Sequence, residues 1–124
     1  MSEVRRFVIL THDHPRWHWD LMLEAGDVLR TWRLEQEPRM DAEIGAEPLP
    51  DHRRLYLDYE GPVSGNRGTV VRWDAGTYSQ LDESPDCVTA MIRGERIQGT
   101  ISLTRRADGE GWIMVVRHVD TRKE

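Results

Sequence analysis

Residues 18–34 constrain the fold most, because they alternate in polarity on both sides of one turn. In His18–Glu24 (HWDLMLE), Trp19, Leu21 and Leu23 fall on one side of an extended chain, and His18, Asp20, Met22 and Glu24 on the other. Ala25-Gly26-Asp27 is a turn signal, and Val28–Leu34 (VLRTWRL) alternates again, so an antiparallel hairpin is expected. The rest of the chain repeats this grammar of short β-like runs between turn formers. Arg6–Thr11 (RFVILT) is an apolar run suited to a buried strand, and Leu55–Tyr59 (LYLDY) is a short strand. Thr69–Trp73 and Gly76–Gln80 flank Asp74-Ala75 as a second hairpin. Val88–Ile92, Arg96–Thr104 and Gly111–Val119 supply further strands, with a turn at Ala107–Glu110. Residues 35–51, carrying Pro38, Pro48 and Pro50, are expected to be a long surface loop, and residues 82–87 a polar one. No stretch has a convincing helical period.

The expectation is therefore an all-β fold: a compact, closed or nearly closed antiparallel barrel of about eight strands, with a long loop or short helix over one end. Residues 1–124 are expected to form a single domain, with the terminal TRKE as a frayed tail. No apolar run approaches the roughly 20 residues that span a bilayer, and MSEVRRFVIL lacks the long apolar stretch of a signal peptide. A lone cysteine, Cys87, excludes an internal disulfide and a cysteine-rich zinc site. A cytoplasmic monomer with no membrane association is expected.

Charge limits the partners. The net charge is −5, with 22 acidic residues against 17 basic ones, so a long duplex is an unsuitable target. All the basic residues but Lys123 are arginine, whose planar fork matches a phosphate. An acidic protein can still engage a single phosphate at a strand end.

The chemistry concentrates in Thr11–Glu24 (THDHPRWHWDLMLE), which holds three of the five histidines. A strand aims His18 and Asp20 at the same side, about 7 Å apart along the chain. His12, closing the preceding strand, could fold back to complete a set of two imidazoles and one carboxylate. Such a set with open positions suits Mn²⁺, Zn²⁺ or Fe²⁺. The same pattern also describes ordinary solvated residues on an exposed sheet face, and His14, before Pro15, has the features of a plain loop histidine. Trp17, Trp19, Trp32, Trp73 and Trp112 are either stacking platforms for bases or barrel filling.

Phe7–Glu24 (FVILTHDHPRWHWDLMLE) resembles the opening motif of the 3′-phosphoesterase domain of bacterial DNA ligase D and its stand-alone relatives. His12, Asp13, Arg16, His18, Asp20, Leu23 and Glu24 match that motif. Gly26–Trp32 (GDVLRTW), Asp51-His52 with Tyr56–Gly61 (YLDYEG), Gly68–Tyr78 (GTVVRWDAGTY) and Gly94–Arg105 (GERIQGTISLTR) are similar to later motifs of the family, in the same order. Trp112 falls where the family has its closing strand.

The resemblance implies a compact β-barrel that uses a divalent metal, typically Mn²⁺ with Zn²⁺ as the alternative. That barrel removes a 3′-phosphate or 3′-ribonucleotide from a nucleic-acid 3′ end, leaving the 3′-OH needed by a DNA ligase or polymerase. By position, His12, His18 and Asp20 would be the metal ligands, with His52 and Tyr56 acting on the scissile phosphate. The chain departs from the motif where Met22 stands in place of a phosphate-binding arginine, and where the loop before Gly68 is short. Arg16, Arg53, Arg54 and Arg67 are candidates to take the arginine's place, Arg16 and Arg54 foremost. The alternative that Met22 favours is a module that keeps the metal or anion pocket and binds nucleic-acid ends, or a repair partner, without turnover.

Overall fold

The computed structural model describes residues 4–119, so the TRKE tail lies outside the described residues. Among the described residues nine strands run in chain order: β1 Arg5–His12, β2 His18–Ala25, β3 Val28–Leu34, β4 Ile44–Arg53, β5 Gly61–Pro62, β6 Thr69–Ser84, β7 Cys87–Gly94, β8 Gln98–Arg105 and β9 Trp112–Arg117. A 3₁₀ turn, Arg54–Leu57, follows β4. Hydrogen bonding runs in the order β1-β2-β3-β4-β9-β8-β7-β6, and β6 returns to β1. Every pairing is antiparallel, so eight strands close a barrel and the two-residue β5 adds to β6 from outside. No helix among the described residues is long and apolar enough to cross a membrane.

Alternation sorts the side chains onto two apolar surfaces. Phe7 and Ile9 of β1, Leu21 and Leu23 of β2, Trp32 and Leu34 of β3, and Met114 and Val116 of β9 fill the barrel interior. Intervening residues Val8, Leu10, Met22 and Leu29 form a second cluster on the outer wall, roofed by Leu57 and Val70 with Tyr56 and Tyr59 against its edge. The β2 face carrying His18, Asp20 and Met22 is thus not a solvated face: all three are at most 5% exposed. At about 1.5–3 kcal/mol for each large apolar side chain buried, the outer cluster is a substantial second source of stability.

Four sequence expectations are corrected. Residues 44–51 are not loop but most of β4, and the connection from β3 spans only 35–43. Pro48 and Pro50 are tolerated because β4 pairs with β9 only over Ile44–Ala46; beyond that it presents a free edge where no N–H is required. Residues 55–59 are not a strand. The chain coils there so that Leu57, 1% exposed, reaches the outer cluster while Leu55 stays at 41%.

The expected hairpin about Asp74-Ala75 is one continuous, bent strand, which pairs with β1 over 70–78 and with β7 over 76–84. Asp74 does not turn its own chain. Its buried carboxylate accepts the backbone N–H groups of Ala75, Glu95, Arg96 and Ile97 at 2.7–3.1 Å, stapling the β7–β8 turn to β6. Glycine is required on both sides of this staple: a Cβ on Gly76 would meet the Arg93 carbonyl at 1.9 Å, and one on Gly94 would meet Asp74 Oδ2 at 2.3 Å. Finally, residues 82–87 are not a loop, since β6 runs to Ser84 and β7 begins at Cys87.

Removing the staple strands four backbone donors, three of them in a neighbouring turn. Asp74→Ala is therefore expected to cost about 4 kcal/mol, read as a lower urea midpoint. A loss below about 1 kcal/mol would show that water replaces the carboxylate without penalty.

Candidate metal centre

The β1–β2 register sets His12 opposite His18 and Leu10 opposite Asp20, on the outer wall just above the second cluster. Alternation aims His12, His18 and Asp20 to the same side. The two imidazole centroids are 4.9 Å apart and the rings are inclined at 62°. Asp20 Oδ1 lies 3.1 Å from His18 Nε2, and Asp20 Oδ2 lies 3.4 Å from His12 Nδ1. One ligand atom from each of the three residues lies within 4.8 Å of the others. The His18 and Asp20 side chains are buried, whereas that of His12 is 16% exposed and marks the open side.

The outward nitrogens of both rings are fixed by carbonyl groups, which can only accept. His12 Nε2–H donates to the Arg67 carbonyl at 2.8 Å, and His18 Nδ1–H donates to the Arg16 carbonyl at 2.8 Å. In the neutral rings His12 Nδ1 and His18 Nε2 then carry lone pairs, and both face the Asp20 carboxylate. Asp20 Oδ1 is buried and accepts no hydrogen bond. Converging lone pairs around a buried carboxylate repel unless a cation sits among them. A two-nitrogen, one-oxygen donor set with an open side fits Mn²⁺, Zn²⁺ or Fe²⁺.

Proton affinities follow the same field. The Asp20 hydrogen bond raises the His12 pKa above its ordinary value of 6.5, against the opposing effect of burial. Burial alone would raise the Asp20 carboxyl, but the His12 and His18 imidazoles outweigh it and hold the group below its ordinary value. A proton on His12 is thus the alternative to a cation.

Asp13, matched in the motif but given no role from sequence, positions this shell. Its Oδ1 accepts the Thr69 N–H at 2.7 Å, fixing the backbone next to the Arg67 carbonyl that orients His12. Gly68, at φ +80°, is needed between them, because a Cβ there would come within 2.3 Å of Asp13 Oδ1.

The other expected site residues fall into separate groups. His52, on β4 opposite Leu29, donates Nδ1–H to the Pro50 carbonyl at 2.9 Å. Its ring lies 6.0 Å from that of Tyr56, and Tyr56 packs against the outer cluster. No hydrogen bond, ion pair or ring contact among the described residues joins this pair to the triad. Met22, 1% exposed in the outer cluster, follows Asp20 along the same face.

Arg54 is engaged by the Glu24 carboxylate and the Gly26 carbonyl, holding the 3₁₀ turn to the β2–β3 turn. Arg67 closes on the Ser64 carbonyl at 2.7 Å. Arg16 borders a cleft of about 400 Å³ beside His18, together with Trp17, Arg33, Glu35 and Glu47. His14 is exposed, 6.4 Å from the His12 ring. Trp32 and Trp112 are barrel filling, in edge contact at 4.9 Å, and Trp17 is 59% exposed. Arg33 has no signal of its own in the sequence. Only its register partner, Asp20, reveals it.

Fold and cluster together define a closed antiparallel β-barrel with a candidate two-histidine, one-aspartate metal centre on its outer wall. Residues 10–105 match the model of the DNA Ligase D 3′-phosphoesterase domain, and the chain belongs to that family. It is 28% identical over 123 residues to the multifunctional non-homologous end joining protein LigD of Pseudomonas aeruginosa, covering 89% of this chain and 15% of that protein. Against the multifunctional non-homologous end joining DNA repair protein LigD of Mycobacterium tuberculosis the identity is 30% over 116 residues, 86% of this chain and 15% of the relative. The corresponding LigD of Mycolicibacterium smegmatis is 29% identical over 124 residues, covering 87% and 16% respectively. The chain thus spans about 15% of the length of these relatives.

If the triad holds a metal, Mn²⁺ at about 100 times its dissociation constant should stabilise the protein by ~2.7 kcal/mol, raising the melting temperature. The shift should vanish in Asp20→Asn and in His18→Ala. Metal must displace the proton that His12 gains, so affinity should weaken as pH falls through the raised His12 pKa, with competition starting above pH 6.5. Melting curves in Mn²⁺ and in EDTA between about pH 5.5 and 8 measure both effects. An identical metal shift in Asp20→Asn would place the ion elsewhere.

Proposed function

We propose that this chain is a metal-dependent phosphoesterase acting on nucleic-acid 3′ ends. It removes a 3′-phosphate or 3′-ribonucleotide to leave the 3′-OH used by a DNA ligase or polymerase in end joining. The observation that carries this reading is the orphaned carboxylate oxygen of Asp20 between two imidazoles whose proton-bearing nitrogens point away from it. Membership of the phosphoesterase family and the end-joining role carried in the names of the LigD relatives support the substrate class.

His12, His18 and Asp20 would hold the ion, for which we favour Mn²⁺ over Zn²⁺. When bound, the ion supplies Lewis-acid neutralisation of phosphoryl oxygens. The chain's own groups do the remainder. His52 has its Nδ1 proton committed to Pro50, so Nε2 is the nitrogen free to meet substrate. With a proton on Nε2 it donates to O3′, which takes that proton as water adds to phosphorus and the P–O3′ bond breaks, while the proton the water loses passes to solvent. Tyr56, beside it at 6.0 Å between ring centroids, offers a hydroxyl to the developing charge. Arg16, at the mouth of the cleft next to His18, is the phosphate contact we assign on the other side. The net charge of −5 suits an enzyme that engages one end rather than a length of duplex.

One observation favours the second reading, an end-binding module without turnover. Met22 is fully buried in the outer cluster where the family motif has an arginine, so this stretch of wall offers no cation to a phosphate.

Incubating a primer–template bearing a 3′-phosphate with Mn²⁺ or EDTA tests the first reading. Metal-dependent conversion to 3′-OH is expected, abolished in His18→Ala and slowed by ~10²–10⁴-fold in His52→Ala. Bound metal without conversion would leave the end-binding module as the account of the site.

A further inference from the structure

Three buried side-chain polar atoms lack a partner among the described residues. These atoms are Trp19 Nε1, Asp20 Oδ1 and Arg33 Nε. Asp20 and Arg33 are cross-strand partners on β2 and β3 and so share one face, whereas Trp19 alternates to the other and packs against the barrel interior. Buried donors and acceptors are almost always satisfied, so a neighbouring unpaired acceptor and donor on one face call for a partner that the chain itself does not supply. The Asp20 oxygen is accounted for by the triad. The Arg33 donor is not, since a guanidinium has no use for a cation.

Arg33 opens onto the cleft of about 400 Å³ that also touches Arg16, Trp17 and His18. Its guanidinium is in reach of one carboxylate, Glu47, at 3.5 Å, and that carboxylate is 59% exposed. An ion pair so wet holds the arginine loosely and yields to a better anion. Glu35, the second carboxylate at the cleft, is folded against Gly45, where an added Cβ would meet its Oε1 at 2.5 Å.

Trp17 supplies the other half. It is the most exposed large aromatic of the described chain at 59%, and it stands edge-on to Trp19, with ring centroids 6.1 Å apart at 89°. That packing steadies the ring and leaves most of its surface in solvent. An exposed indole lining the same cleft as two arginines and His18 has the composition of a nucleotide seat: π-surface for a base and forked cations for a phosphate.

The geometry points to a single-strand subsite in this cleft, in which Trp17 stacks on a base near the 3′ end and Arg33, with Arg16, grips the adjoining phosphate. The strand then leaves the triad along the β2–β3 side instead of crossing the apolar wall at Met22. Arg33 supplies from the neighbouring strand the cation that Met22 cannot. The inference rests on the proposed action at 3′ ends for its ligand class, but binding can be read without turnover.

The test uses the whole chain in EDTA and a 5′-fluorescein single-stranded oligonucleotide ending in a 3′-phosphate. Anisotropy is followed over a series of salt concentrations. Trp17→Ala should weaken binding by about tenfold with the salt slope unchanged, because stacking carries no charge. Arg33→Gln should weaken it and lower the log–log salt slope by about 0.7, the value expected when one phosphate of a single strand is no longer neutralised. Arg33→Lys should restore the slope and only part of the affinity. Melting curves matching wild type exclude misfolding.

Failure of the wild type to bind, or variants within about twofold of it at the same slope, would overturn the subsite. Turnover is scored separately with Mn²⁺. A wild type that binds through Trp17 and Arg33 yet releases no phosphate supports the subsite and defeats the enzymatic reading. Phosphate release with an unchanged KM in both variants defeats the subsite alone.

Discussion

The structure depends on the double engagement of β1, which pairs with β2 on one edge and with β6 on the other. That second pairing closes the barrel, and it is achieved only because β6 bends through sixteen residues to serve both β1 and β7. A bulge between Ile9 and Leu10 admits the bend, and the buried Asp74 carboxylate secures it with four backbone hydrogen bonds. Closure also fixes the ends of β1 and β2. His12, the last residue of β1, and His18, the first of β2, are therefore forced opposite one another.

The site exploits a wall that is covered on both sides. An outer barrel face usually meets water, but here the 3₁₀ turn and Val70 roof Met22, Leu10 and Leu29. Burial strengthens every electrostatic interaction next to it and makes an unpaired carboxylate oxygen costly. His12 and His18 face Asp20 with their far nitrogens tied to backbone carbonyls, an arrangement that a cation among the three would complete. Orientation thus comes from Arg16, Arg67 and Asp13, and charge from the triad itself. The same covering explains Met22: at 1% exposure it serves packing, and a cation for the cleft comes instead from Arg33 on the adjoining strand.

Much of this was legible in the sequence, and the failures share a cause. The β2–β3 hairpin was readable because its alternation and its Gly26 turn are local signals, and the His-x-Asp spacing on β2 followed from the same alternation. The motifs that residues 10–105 share with one family made the barrel and the triad expected together. What escaped was set by partners far away in the chain. Asp74-Ala75 has the composition of a turn, and only the donors at Glu95–Ile97 convert it into a staple in mid-strand. Pro48 and Pro50 signal a loop unless β9 is known to stop pairing at Ala46. Arg33 is one arginine among sixteen until the register sets it beside Asp20.

The central claim is that His12, His18 and Asp20 form one metal centre, and pulsed electron–nuclear double resonance of the Mn²⁺-loaded protein tests it most directly. With ¹⁵N-labelled histidine, two directly bound imidazole nitrogens should be resolved in the whole chain. One should disappear in His12→Gln and the other in His18→Gln. Two nitrogens that persist in both variants, or a bound ion with no histidine coupling at all, would contradict the account and place the metal away from the β1–β2 end.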